Sequence, residues 1–134
     1  MYGLVFDRHE SLDAPVHEML IAHHRSCYVR PHRHSEKAES LIVVEGRATA
    51  IFFDDRGEVE SSVELAAPPS PAFAYRAPPG RWHGALIRSE WLIFIEVAAG
   101  PFTAASSEFP AWAPEDGTPE AGAYMADLLR RLPG

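Results

Sequence analysis

Along residues 58–65 (EVESSVEL), Val59, Ser61, Val63 and Leu65 alternate with Glu58, Glu60, Ser62 and Glu64. A period of two residues predicts a strand with one face buried and the charge on the other. Just upstream, residues 54–57 (DDRG) place turn-forming aspartates and a glycine between ATAIFF and EVESSVEL, so the two runs read as a hairpin. Further strands are predicted over 16–24, 28–34, 39–44 and 90–97. No helical period is sustained between residues 2 and 97, which read as short strands punctuated by turns. The proline-rich run 66–80 is predicted to be a loop with a short extended piece at its centre, because proline has no N–H to give to a ladder.

After residue 100 the composition shifts to Pro, Ala, Ser and Glu, and TPEAGAYMADLLRRLPG then brings a helical pattern. Thr118 can cap this helix and Pro119 suits its first position, while Ala121, Tyr124, Met125, Leu128 and Leu132 share a face. Arg130 and Arg131 suit the negative end of its dipole. The expected organisation is an all-β unit over residues 1–100, followed by an extension over 101–134 whose amphipathic helix packs on the same domain.

A chain of 134 residues is long enough to bury a core without covalent staples. A net charge of -7, with lysine nearly absent, argues against nucleic acid or an anionic membrane surface, since both need clustered Lys and Arg. Cys27 stands alone and cannot form an internal disulfide. The start MYGLVFDRHESLD lacks the basic stretch and apolar core of a signal peptide, and no run approaches the ~20 apolar residues of a membrane helix. The expectation is a soluble cytoplasmic protein.

The candidate chemistry lies in VRPHRHSEKAES, residues 29–40. A regular strand would put Tyr28, Arg30, His32 and His34 on one side, with Pro31 opposite marking a rim or a bulge. A His-x-His pair alone is more often a satisfied polar pair than a ligand pair. Burying two imidazoles beside a guanidinium is costly, however, and a metal ion or bound ligand compensates that cost. Glu39 opens the next strand after the short turn SEKA, so its carboxylate can swing back toward both imidazoles. At PPGRWH, a Pro-x-Gly turn precedes His83, and the apolar GALI follows.

Around these residues several roles compete. Arg30 can clamp a carboxylate or phosphate in a bidentate fork, or form a buried salt bridge to Glu45 or Glu96. Tyr28 can line the mouth of the site or fill the core with its hydroxyl at the rim. Glu96 in WLIFIEV is a candidate general base if it faces inward with Leu92 and Phe94. Trp82 can cover a sugar ring or simply pack. His9, His17, His23 and His24 are read as surface residues, with His23 or His24 buried in a strand, and Cys27 as packing outward.

The blocks His32-x-His34-x4-Glu39-x6-Gly46 and Pro78-x-Gly80-x2-His83 resemble the two motifs of the cupins. That resemblance implies a double-stranded β-helix (cupin jelly-roll) barrel in which His32, His34, Glu39 and His83 hold one divalent metal ion: Fe, Zn, Mn, Ni or Cu. Ser26, Ala72 and Ile87 stand where the motifs usually carry glycine, glycine and asparagine, and none of the three is a ligand position. Three neutral imidazoles and one carboxylate leave a divalent ion a charge of about +1 and open positions for substrate.

A narrower resemblance runs through SLDAPVHEMLIA, YVRPHRH, EGRATAIFFDDRGEV, GRWH, EVAAGPF and FPAWAPEDGTPEAGAYMADLL. These segments are similar to the WbuC-family cupin-fold metalloproteins, which are encoded among functions of surface-polysaccharide (O-antigen) biosynthesis. The family's gene setting implies a small polar metabolite, a sugar or nucleotide-sugar derivative, as substrate; the chemistry of the metal site suits an isomerase or epimerase, a lyase or, with iron, an oxygenase, and sheet left exposed by a jelly roll suits a homodimer. The competing expectation is a cupin that binds such a ligand as a sensor or accessory subunit without turning it over.

Overall fold

The computed structural model describes residues 3–7 and 10–134, folded as two antiparallel sheets with one C-terminal helix. Nine strands are described: β1 (Gly3–Asp7), β2 (Val16–His24), β3 (Val29–His32), β4 (Glu39–Glu45), β5 (Arg47–Phe53), β6 (Val59–Ala66), β7 (Ala74–Ala77), β8 (Trp82–Ile87) and β9 (Trp91–Ala99). A 3-10 turn follows at Ala104–Ser106, and the helix α1 spans Pro119–Arg131. One sheet has the order β1-β2-β9-β4-β7 and the other β3-β8-β5-β6, so strands distant in sequence meet in both. No helix among the described residues is long and apolar enough to cross a membrane.

The inward rows of the two sheets meet in a core of Ile21, Leu41, Val43, Ala48, Ala50, Leu65, Leu92 and Phe94. β5 is apolar on both faces, and the reason is a second core on its far side. There Ile51 and Phe53 pack with Trp82, Leu86 and Leu128 of α1, so ATAIFF reads as a continuous apolar run instead of an alternating one. Among the described residues no helix covers the outer face of the five-stranded sheet, where Leu4, Phe6, Ile42 and Val44 remain exposed.

Local chemistry accounts for the turns and ends. In the β5–β6 hairpin, Oδ1 of Asp54 accepts from the N–H groups of Arg56 (2.8 Å) and Glu58 (2.9 Å), and Gly57 takes the positive φ of 87° that closes the turn. Thr118 caps α1, its hydroxyl accepting from the Ala121 N–H at 3.3 Å. At the other end Arg88 bridges the hydroxyl of Thr49 and the carbonyl of Leu132, tying the helix to β5. Thr118→Ala is expected to cost about 1 kcal/mol, read as a lower urea midpoint at unchanged slope.

The extended piece in the proline-rich run is β7, and it completes the edge of the larger sheet. GALI belongs to β8, the strand that carries His83. His17 is a correction to the surface reading: it is buried, and its Nε2 lies 3.1 Å from the carbonyl oxygen of Leu12. Cys27 is also buried, not packed outward, and burial pushes its thiol up to about 11. His24 is partly buried against Trp91 and within 2.9 Å of the Ser26 hydroxyl. His9 lies outside the described residues.

Candidate metal centre

The strand carrying the first two histidines is not regular. Val29 faces Ala85 on β8 and His32 faces His83, so three steps on β3 match two on β8 and one residue bulges between. The bulge breaks the predicted parity. Val29 and His32 both turn into the space between the sheets, while Tyr28 and Arg30 go toward the C-terminal extension. The Tyr28 hydroxyl donates to the Pro114 carbonyl at 3.0 Å, and its ring meets Tyr124 edge-on. Arg30 donates from Nε to the Ala113 carbonyl at 3.1 Å and lays its guanidinium over Phe109. Among the described residues it makes no ion pair with Glu45 or Glu96.

His32, His34, Glu39 and His83 converge. One ligand-type atom from each lies within 4.8 Å of all the others. Glu39 begins β4 with its carboxylate buried, its oxygens 2.7 Å from Nε2 of His34 and 3.6 Å from Nε2 of His83. Each imidazole is fixed from behind by a backbone carbonyl, because Nδ1 lies 2.8 Å from Arg30 O in His32, 2.8 Å from Ser106 O in His34 and 2.9 Å from Arg81 O in His83. Nδ1–H donation leaves Nε2 as the lone-pair nitrogen aimed at the centre, the usual outer-shell arrangement of a ligating histidine. The Nε2 atoms of His34 and His83 are buried and make no hydrogen bond of acceptable geometry.

The quartet fits a divalent ion on three grounds. Buried, orphaned nitrogens are costly without a partner. The donor set of imidazoles and one carboxylate suits Fe, Mn, Ni, Cu or Zn alike. Two atoms bound at about 2.1 Å to one ion are at most about 4.2 Å apart, so the cluster needs only a small inward adjustment. Electrostatics agree, since burial and the neighbouring His83 push His32 down to about 4, leaving it neutral and ready to ligate at pH 7. Against the cost of burial, contacts with His34 and His83 hold Glu39 far below the usual carboxylate range, and Glu39 in turn raises His34.

The second motif is joined to the first through its glycine. Gly80 adopts φ of 76° and donates its N–H to the His34 carbonyl at 2.7 Å, which sets the approach of β8 and hence His83. From the other side, residues 103–108 fold back over the site. Arg33 and Glu108 exchange backbone hydrogen bonds at 3.0 and 2.9 Å and pair through their side chains at 2.9 Å. This brings Ser106 O to His34, a contact for which the stretch AASSE carries no sequence signal.

Of the two facings open to Glu96, the structure has the inward one, where it lines the cavity beside Glu39. Burial and the adjacent Glu39 raise its carboxyl well above the ordinary value. Tyr75 on β7 joins them, and burial together with the nearby Glu39 and Glu96 raises its phenol well above the ordinary value. Sequence reasoning missed this residue because it sits in the proline-rich run. Tyr28 and Arg30 border a groove of about 330 Å³ outside His32, together with His23, Phe109 and Asp116. Trp82 lies in the second core, where its indole N–H donates to Asp55 at 3.1 Å and Arg33 covers its ring.

Comparison with known proteins agrees with this architecture. The model of a domain of unknown function, DUF6016, matches residues 5–65. No curated protein sequence matches the chain. A conserved protein with a double-stranded β-helix domain from Klebsiella pneumoniae superposes with a TM-score of 0.60 at 20% identity, covering 84% of this chain and 85% of that one. A cupin superfamily protein from Desulfitobacterium hafniense gives 0.55 at 11% identity over 73% and 77% of the two chains. The oxalate decarboxylase of Lactobacillus farciminis, solved as a formate complex, gives 0.60 at 18% identity, with 80% of this chain covering 31% of that one. The chain therefore has the double-stranded β-helix fold of the cupins.

Proposed function

We propose that this protein is a metal-dependent cupin enzyme acting on a small oxygen-bearing metabolite. The observation that carries the reading is the inward convergence of three imidazoles, each locked by a backbone carbonyl, on one buried carboxylate. A divalent ion held by His32, His34, Glu39 and His83 would polarise a carbonyl or hydroxyl and lower the pKa of bound water. Glu96 stands beside Glu39 and is the carboxyl placed to exchange a proton with a bound substrate. Tyr75, a neutral phenol on the same wall, is placed to donate a hydrogen bond to it. Arg30 and Tyr28 belong to the outer groove, where they can meet a part of the substrate that extends past His32.

The WbuC resemblance supports a substrate from surface-polysaccharide synthesis, a sugar-derived acid or keto compound whose hydroxylated part would lie in the outer groove beside Arg30 and Tyr28. The chemistry of the site suits isomerisation, epimerisation, elimination or, with iron, oxygen activation. The test is to incubate metal-loaded protein, chelator-treated protein and His32→Ala with a panel of sugar acids, keto acids and nucleotide sugars, following masses and proton exchange. The expected result is conversion by the loaded wild type alone. Saturable binding of one panel member with no conversion under any metal would replace the enzyme with a ligand-binding cupin.

A further inference from the structure

We propose that the space beneath the metal quartet selects ligands with a compact apolar end, a short branched or aromatic group joined to an oxygen-bearing head, over polyols. The inference rests on the metal reading for the head of the ligand and on the cavity alone for its tail. The cavity measures about 230 Å³. An apolar space of about 150 Å³ is already enough for a benzene ring. Five of its polar side chains cluster about Glu39, with His32 and His83 from the quartet and Glu96 and Tyr75 beside it, and its remaining wall is built largely from Ile21, Leu41, Ile87, Leu92 and Phe94.

A sugar-sized ligand would bring several hydroxyls into this space, and each one turned toward Leu41 or Phe94 would lose its water without gaining a partner. Among the described side chains on the rest of the wall, only His23 is polar, and its Nδ1 is buried and unpartnered where the cavity meets the outer groove. One further oxygen or nitrogen on the ligand can therefore be met, not a chain of them. An apolar group fits the same wall at no such cost.

The test uses probes that share a metal-binding head and differ in the tail. Acetohydroxamate, benzohydroxamate and gluconohydroxamate are titrated into the zinc-loaded full chain by calorimetry, and toluene into the metal-free chain by methyl NMR. Benzohydroxamate is expected to bind 10–100-fold more tightly than acetohydroxamate, as burial of a phenyl group implies. Ala85→Leu, which fills the cavity from β8, is expected to remove that preference while leaving acetohydroxamate affinity unchanged. Equal affinities for the two, or preference for gluconohydroxamate, would overturn the inference. If neither hydroxamate distinguishes loaded from metal-free protein, the metal reading fails, and toluene then decides the cavity. Saturable shifts of the Ile21, Leu41 and Leu92 methyls support the apolar site, and unmoved methyls overturn it.

Discussion

Purified without a metal-affinity tag, the wild-type chain is expected to carry a divalent ion near stoichiometry, and His32→Ala and His83→Ala are each expected to carry almost none. Loss of an outer-shell partner of a ligand already costs about 10–100-fold in metal affinity, so loss of the ligand itself should cost more. The fold should survive both changes, because the core of Ile21, Leu41, Val43, Leu65, Leu92 and Phe94 lies on other residues. Far-UV circular dichroism checks that point, and elemental analysis checks the ion.

A second readout follows from linkage. An ion present at 1,000 times its dissociation constant adds about 4 kcal/mol to folding stability, which raises the melting temperature of a chain this size by roughly 10–15 °C. Chelation should lower the wild type by that much and leave both variants where they are. If both variants keep full metal, the ion is bound elsewhere and the quartet is an acid–base or ligand-binding cluster.

The convergence of His32, His34, Glu39 and His83 was legible because the four stand at short, fixed spacings on or beside short strands. His32-x-His34-x4-Glu39 spans one turn between β3 and β4, so the three residues are close in sequence as well as in space. The neighbours of these four residues were less legible, and the bulge in β3 shows why. One extra residue between Val29 and His32 reverses the facing of everything before it, so Tyr28 and Arg30 end against Pro114 and Ala113 of the extension. Pro31 hinted at the irregularity, but a proline does not say which residues change sides.

Contacts made by backbone atoms from afar were not legible at all. The Ser106 carbonyl that fixes His34 comes from a segment 72 positions away, delivered by the Arg33–Glu108 pairing. Carbonyls are supplied by every residue type, so composition cannot single one out. His17 and Tyr75 were obscured by a related effect, since a polar ring on a strand reads the same whether its face meets solvent or a cavity. What decided their burial was the sheet order β1-β2-β9-β4-β7, which puts β2 and β7 beside strands distant in the chain.

Gly46 closes the first motif seven positions after Glu39, and Gly46→Ala is expected to destabilise the protein by at least about 3 kcal/mol, a loss of about 10 °C or more in melting temperature. Its φ is 93°, which costs an L side chain about 1–2 kcal/mol. The space is closed as well: a Cβ there would stand 2.4 Å from the Trp91 carbonyl oxygen and 2.5 Å from the Ser89 hydroxyl. Those two atoms are hydrogen-bonded to each other, and the same hydroxyl accepts the Arg47 N–H at 2.9 Å, so moving either one loosens the start of both β5 and β9.

Gly80 supplies the control. Its φ of 76° carries the same backbone penalty, but no atom lies within 4 Å of where a Cβ would be, so Gly80→Ala should cost only about 1–2 kcal/mol. Urea denaturation of the pair separates the two contributions, and equal losses would mean that the Gly46 contacts relax without cost. Since Gly46 directly follows the strand that Glu39 begins, this motif glycine acts on the site through the placement of β4, and metal stoichiometry in the folded fraction of Gly46→Ala should stay near that of the wild type.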